Sequence, residues 1–372
     1  MRSPRHRALA AVALIVTAAI GLTGCQGAGS SGKSDPAPVI ELPPLSEVTP
    51  LADPTSHVGS TTAVIGGPRI APLAPAPESK LPVTVTSRDV KGDRTVTVTD
   101  ASRVLTLSLS GTTGEIVHAL GLSDRLIGRD ISTVFPGSES LPIVTKDGHS
   151  IDAESVMALS PTLIITDGSI GPTDVVLQLA DAGVTVVTVE RAVDSESSYR
   201  TIQQIADALG VGEVAPAVIE TLRADITTVE AEIAALLPAD RSKLPRVVFL
   251  YVRGNAGIFY LFGKGSGVDG LIRSIGAIDA AAEIGWVGER PMTEEALVAM
   301  NPDIILVMTE GLEGAGGIDG LLAAQPSIGL TKAGKNRRII DVDDAVLFAG
   351  GTRIPDVIDG LARAVYAPDS LK

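Results

Sequence analysis

The order of apolar and polar positions divides the chain into a short alternating region and a longer one in which strand and helix patterns take turns. Residues 95–99 alternate Thr and Val without a break, and after Asp100, Ala101, Ser102 and Arg103 a second alternating run covers 104–109. Two such runs around a polar break predict a β-hairpin. Further on, 115–120 reads as helix, Ile164 and Ile165 as a buried strand, 175–182 as helix and 184–189 as strand. That order predicts an α/β domain with a largely parallel sheet.

The theme repeats. Residues 151–166 align with 292–307 at a constant offset of 141, sharing Glu154 with Glu295, Ala158 with Ala299, Pro161 with Pro302 and Ile164 with Ile305. Each copy opens with an apolar residue before a capping Asp152 or Thr293, which allows a hydrophobic staple to Val156 or Leu297. Each closes with a proline that stops the helix before a buried strand. Between the copies, Val218, Leu222, Ile226, Val229 and Ile233 recur at spacings of three and four with no glycine among them. A helix over 215–237 would run roughly 35 Å at 1.5 Å per residue. The expected fold is α/β, with two Rossmann-like lobes over 86–212 and 241–372 joined by one long helix within 213–240.

The N-terminal region reads differently. Residues 8–20 are almost wholly apolar and follow Arg2, Arg5 and Arg7. The run falls short of the about 20 residues that span a bilayer but suits the core of an export signal. Cys25 is the only cysteine, and Leu22, Thr23, Gly24 and Cys25 resemble a bacterial lipobox, which implies cleavage of residues 1–24 and acylation of Cys25. Eleven prolines lie between Pro36 and Pro82, so 25–85 is expected to be an extended tether rather than a domain. His57 falls inside it, which argues against a ligand role.

Charge narrows the partners. Removing 1–24 takes three of the 30 basic residues and none of the 44 acids, leaving 27 − 44 = −17, a poor match for nucleic acid. Three histidines remain in the mature chain, His57, His118 and His149. With no free thiol, they are too few for a bare zinc or manganese site. His118 is expected to be a helix packing or surface residue, whereas His149 stands in a Gly-His loop just before the first repeat helix. Gly263, Lys264, Gly265, Ser266 and Gly267 lack the ending of a phosphate loop and do not fit a nucleophile elbow. They predict a turn before a helix, and no catalytic triad is in view.

Tyr251, Val252, Arg253 and Gly254 close the apolar strand 246–250, and alternation puts Tyr251 and Arg253 on one face. One reading is a strand-end tyrosine bonded to backbone with the arginine in water. The other is metal chemistry: a guanidinium donating to a phenol favours phenolate, an anionic oxygen that ferric iron prefers.

A lipoprotein with two similar α/β lobes on a helical connector resembles the substrate-binding proteins of ABC importers that carry siderophores, cobalamin or haem. The phrases Gly121 to Gly128 and Gly350 to Arg353 add to the likeness. Tyr251-x-Arg253, with the His149 loop, is similar to the haem-binding lipoproteins of the HmuT type. That resemblance implies ferric haem between the lobes with His149 and Tyr251 as axial ligands and Arg253 supporting the tyrosinate. It further implies a lipid-anchored receptor on the outer face of the cell membrane, docking through Glu154 and Glu295 to a permease with its ATPase, and receiving haem free or from other haem carriers. The resemblance leaves a ferric-siderophore or cobalamin receptor of the same fold as the alternative, with a lipid-anchored enzyme further off.

Overall fold

The computed structural model describes residues 42–89, 92–146, 150–253, 256–348 and 350–371. From residue 42 onward the proline-rich segment is not a free tether. Leu45, Ala63 and Ile70 are buried in the main core, and Thr61–Thr62 (β1) pairs in parallel with residues 340–341 of the second lobe. Backbone bonds pin it further: Leu51 N donates to Tyr366 O, Leu73 N to Ala119 O and Lys80 N to Gly210 O. Arg338, fully buried, holds it from the other side by donating to the Gly59 carbonyl and the Thr61 hydroxyl. Composition suggests a tether because the segment has no apolar period of its own. It is ordered instead as a strap, by surfaces that both lobes supply.

The hairpin also falls elsewhere than expected. Val83–Asp89 (β2) pairs with Gly92–Val98 (β3), and the second alternating run, Val104–Leu107 (β4), is buried along its whole length. A strand covered on both faces belongs inside a parallel sheet. There β4 lies between Leu126–Gly128 (β5) and a later strand, Leu163–Thr166 (β8), which pairs in turn with Thr185–Thr188 (β9). A small ladder, Thr145–Lys146 (β6) with Ser150–Ile151 (β7), brackets residues 147–149.

The second lobe repeats this sheet. Arg246–Arg253 (β10) lies between Ile278–Asp279 (β12) and Ile304–Met308 (β14), and β14 pairs with Ile339–Val342 (β15), all parallel. The order 12-10-14-15 therefore matches 5-4-8-9. Detail follows the repeat as well. Ser160 and Asn301, 141 apart, both take left-handed backbone at φ 48° and 39°, ending their helices just before the matched prolines. Thr162 N bonds to Arg103 O at 2.9 Å and Asp303 N to Arg246 O at 2.8 Å. Both arginines also reach back to the carbonyls that end the preceding helix, Arg103 to Ser160 and Arg246 to Asn301. The residues expected to form the staples share cores: Ile151 and Val156 belong to one cluster, and Met292 packs against the cluster that holds Leu297. Thr293 caps Ala296 N as expected; Asp152 instead binds Lys146 at 2.6 Å and Ser155, because a nearby ammonium competes for its carboxylate.

The departure from the repeat that bears on the cleft lies at the end of β10. β10 continues past the length of β4, and its end pairs antiparallel with Ile258–Phe262 (β11), which pairs with Glu289–Pro291 (β13).

The connecting helix, Ala215–Leu236, buries Val218, Leu222, Ile226, Val229 and Ile233, and the inner faces of both sheets pack with it in one continuous core. Gly350 to Arg353 joins the lobes. A Cβ on Gly350 would fall 2.3 Å from the Ala192 carbonyl oxygen, so only glycine permits this approach. Gly351 N donates to Ser198 Oγ at 2.8 Å. Arg353, buried, pairs with Glu115 of the first lobe at 3.3 Å and with Asp356 at 2.9 Å, and Asp356 also meets Arg69 of the strap at 3.2 Å. Burial drives Glu115 up to about 7 against the pull of Arg353, and Asp356 up to about 6. Glu115 has only its share of the Arg353 guanidinium, and even with Arg69 beside it the pull of the cations on Asp356 does not offset burial in full.

Candidate functional site

Strand alternation builds the site. Val247 and Phe249 face the shared core, Val248 and Leu250 the outer core of the second lobe. Tyr251 continues the inner row and is half-buried where a cavity of about 390 Å³ opens between the lobes. That volume lies within the roughly 300–1,000 Å³ typical of small-molecule and cofactor sites.

The register sets Tyr260 directly opposite Tyr251 and Phe262 opposite Phe249. Tyr251 and Phe262 stack at 6.2 Å, Phe262 lies 6.0 Å from Phe348, and Phe249 meets both phenylalanines edge-on from behind. The chain has ten aromatic residues, and Tyr251, Tyr260, Phe262 and Phe348 line this one cavity; a low aromatic content overall is concentrated where a flat ligand would need it. Across the cleft the first lobe supplies Leu109, Val193, Arg191, Asp194 and Ser195. Asp194 is engaged in capping, accepting from Ser197 N at 2.8 Å. Arg191 is the cation in the wall, and it is exposed.

Arg253 ends β10, exposed and two residues beyond Tyr251, and makes no hydrogen bond to it among the described residues. His149 and Cys25 lie outside the described residues, so of the expected ligand pair only Tyr251 is seen at the cavity. Glu154 and Glu295 are exposed in the first turns of their helices, Ala153–Ala158 and Glu294–Met300. His118 packs as expected: it stacks on Phe135 at 4.4 Å, its Nδ1 bonds with Ser123 Oγ at 2.8 Å, and burial holds it below the usual histidine range. The glycine-rich turn at 263–267 leads into the helix Val268–Ser274, and Gly267, at φ 91°, lies against Val193 of the first lobe. Tyr260 and Phe262 carry no expectation from the sequence, although a β-prone run just after Gly254, Asn255, Ala256 and Gly257 is a hairpin signal.

Two parallel-sheet lobes on a helical backbone, enclosing an apolar cavity, define a substrate-binding protein. Residues 107–346 match the family model described as periplasmic binding protein, and the chain belongs to that family. Its members are transport proteins that bind substrates rather than transform them.

Among its relatives, the chain is 31% identical over 298 residues to the uncharacterized ABC transporter substrate-binding lipoprotein YvrC of Bacillus subtilis (strain 168), covering 78% of this chain and 87% of that one. It is similar to the crystal structure of heme binding protein HmuT, at 34% identity and a TM-score of 0.75 over 84% of this chain and 99% of the other. A further likeness is to the apo form of the periplasmic heme-binding protein RhuT from Roseiflexus sp. RS-1, at 32% identity and a TM-score of 0.63 over 73% and 100%.

Proposed function

We propose that this protein binds ferric haem in the cavity between its lobes and delivers it to an ABC permease from a lipid anchor at Cys25. The observation that carries the reading is Tyr251, a phenol at the mouth of an aromatic-walled cavity. A porphyrin is flat and apolar with two carboxylates at one edge. The stacked rings suit its faces and Arg191 suits its anionic edge.

In this reading Tyr251 supplies an anionic oxygen to iron, His149 the second axial ligand from the other lobe, and Arg253 a guanidinium two residues on that reaches the phenolate once the ligand is bound. The family likeness supports the same set. Crystal structures similar to this chain include HmuT with a tyrosine, a histidine or an arginine replaced, the replaced tyrosine and arginine being two positions apart, as Tyr251 and Arg253 are. Glu154 and Glu295, one per lobe, are the acids that would dock the permease. A ferric siderophore of high negative charge would find one arginine in the wall among the described residues.

Titrating hemin into the chain without its signal peptide tests the reading. The expected result is a sharp one-to-one endpoint with a six-coordinate ferric spectrum; a linear, unsaturable titration would overturn it.

A further inference from the structure

The repeat leaves a trace on the outside of the molecule as well as in its cores. In the helix Ala153–Ala158, Val156 is fully buried while Glu154, Met157 and Ala158 are exposed; in Glu294–Met300, Leu297 is fully buried while Glu295, Val298 and Ala299 are exposed. Met157 is 43% exposed and Val298 41%, and they stand 141 positions apart, like the two acids. Residues three and four apart share a helix face. Each lobe therefore presents the same triplet: an acid, an apolar side chain one turn further on, and an alanine beside it.

Core packing accounts for the match between Val156 and Leu297. It gives no reason for the match outside, where Met157 and Val298 belong to neither core. Eleven large apolar side chains are exposed among the described residues, and lone ones are ordinary. A pair at equivalent places in two lobes, each three residues after an acid, asks for a common cause.

The geometry points to two equivalent docking surfaces, Glu154 with Met157 and Glu295 with Val298, whose occupant is the importer's membrane permease, offering at two matched places a cationic side chain beside an apolar socket. This rests on the reading of Glu154 and Glu295 as docking acids and adds the apolar half of the contact. The two halves act differently. Exposed acids steer the approach of a cationic partner and are screened by salt. Met157 and Val298 act only at contact, through apolar surface removed from water, which salt does not screen. The alanines keep the helix low enough for close approach.

The test is binding of the haem-loaded, full-length lipoprotein to its permease–ATPase complex in lipid nanodiscs. Met157→Gln and Val298→Ser are each expected to weaken binding about fivefold and together about twentyfold, leaving the haem spectrum unchanged and persisting at high salt. Glu154→Gln and Glu295→Gln should weaken binding at low salt and lose most of that effect at high salt. Val58→Ser, on a residue exposed elsewhere, should bind like the parent. If the apolar variants bind like the parent while the acid variants weaken, the apolar half is wrong and the acid reading stands. If all four bind like the parent, both fall. An effect confined to one lobe overturns the claim of equivalent surfaces.

Discussion

Tyr251 is the last member of an inner row that begins with Val247 and Phe249, so the same alternation that packs the core delivers the phenol to the cavity. Tyr251→Ala should therefore lower hemin affinity more than His149→Ala, which leaves a five-coordinate tyrosinate complex; spectrophotometric titration of both variants decides the order. If Arg253 reaches the phenolate in the haem complex as proposed, Arg253→Ala removes a charge-assisted bond worth about 1.5–3 kcal/mol, and affinity should drop about 10- to 100-fold. Without the guanidinium, coordination should also be lost at a higher pH on acidification than in the parent. Parent-like spectra and affinities in all three variants would place haem elsewhere. Alternation makes Tyr251 legible in sequence. Tyr260 is not, because its place depends on the register between β10 and β11, and Phe348 arrives from 97 positions downstream of Tyr251.

Glu115 offers a second residue-level check. Its folded value of about 7 lies above its ordinary 4.5, so the folded chain binds an extra proton between those pH values, and stability rises as pH falls through that window. The melting temperature of the parent should climb between about pH 8 and pH 5 by more than that of Glu115→Gln. Equal slopes would mean that Glu115 is already ionised in the folded state at neutral pH.

Among the elements, the connecting helix is the one most plainly written in the sequence: an unbroken apolar period gives its extent to within a residue and its buried face without error. The strap is the least. Leu45, Ala63 and Ile70 have no period, and the proline content that argues against a domain is compatible with an irregular chain held by backbone bonds to Tyr366, Ala119 and Gly210. The hairpin lies between these cases, since 104–107 alternates loosely but is buried on both faces, a property that depends on what packs against it. If the strap is part of the fold, Leu45→Ala should cost about 2–5 kcal/mol in urea unfolding. A free tether would show almost no change.

For the molecule as a whole, attachment and binding should separate. Cys25→Ser should yield unacylated protein, released or retained as precursor, with hemin affinity equal to the parent. Fractionation followed by titration reads both, and mature membrane-bound protein would contradict the lipobox. The strap also changes how the lobes can move. It is fastened to the first lobe at Ala119 and Gly210 and to the second along β15, and Arg69 joins the charge cluster between them. Any opening of the cleft must therefore be small or must work against these bonds.

The lobes share one sheet order, yet most of the aromatic wall comes from a place where they differ, the extension of β10 with β11 and β13. In the proposed reading, cargo binding and delivery therefore fall on different parts of the chain: a cavity wall built largely by one lobe's extension, and a helix face carried by both. On that reading the wall of the cavity can change its side chains without altering the surface that meets the importer.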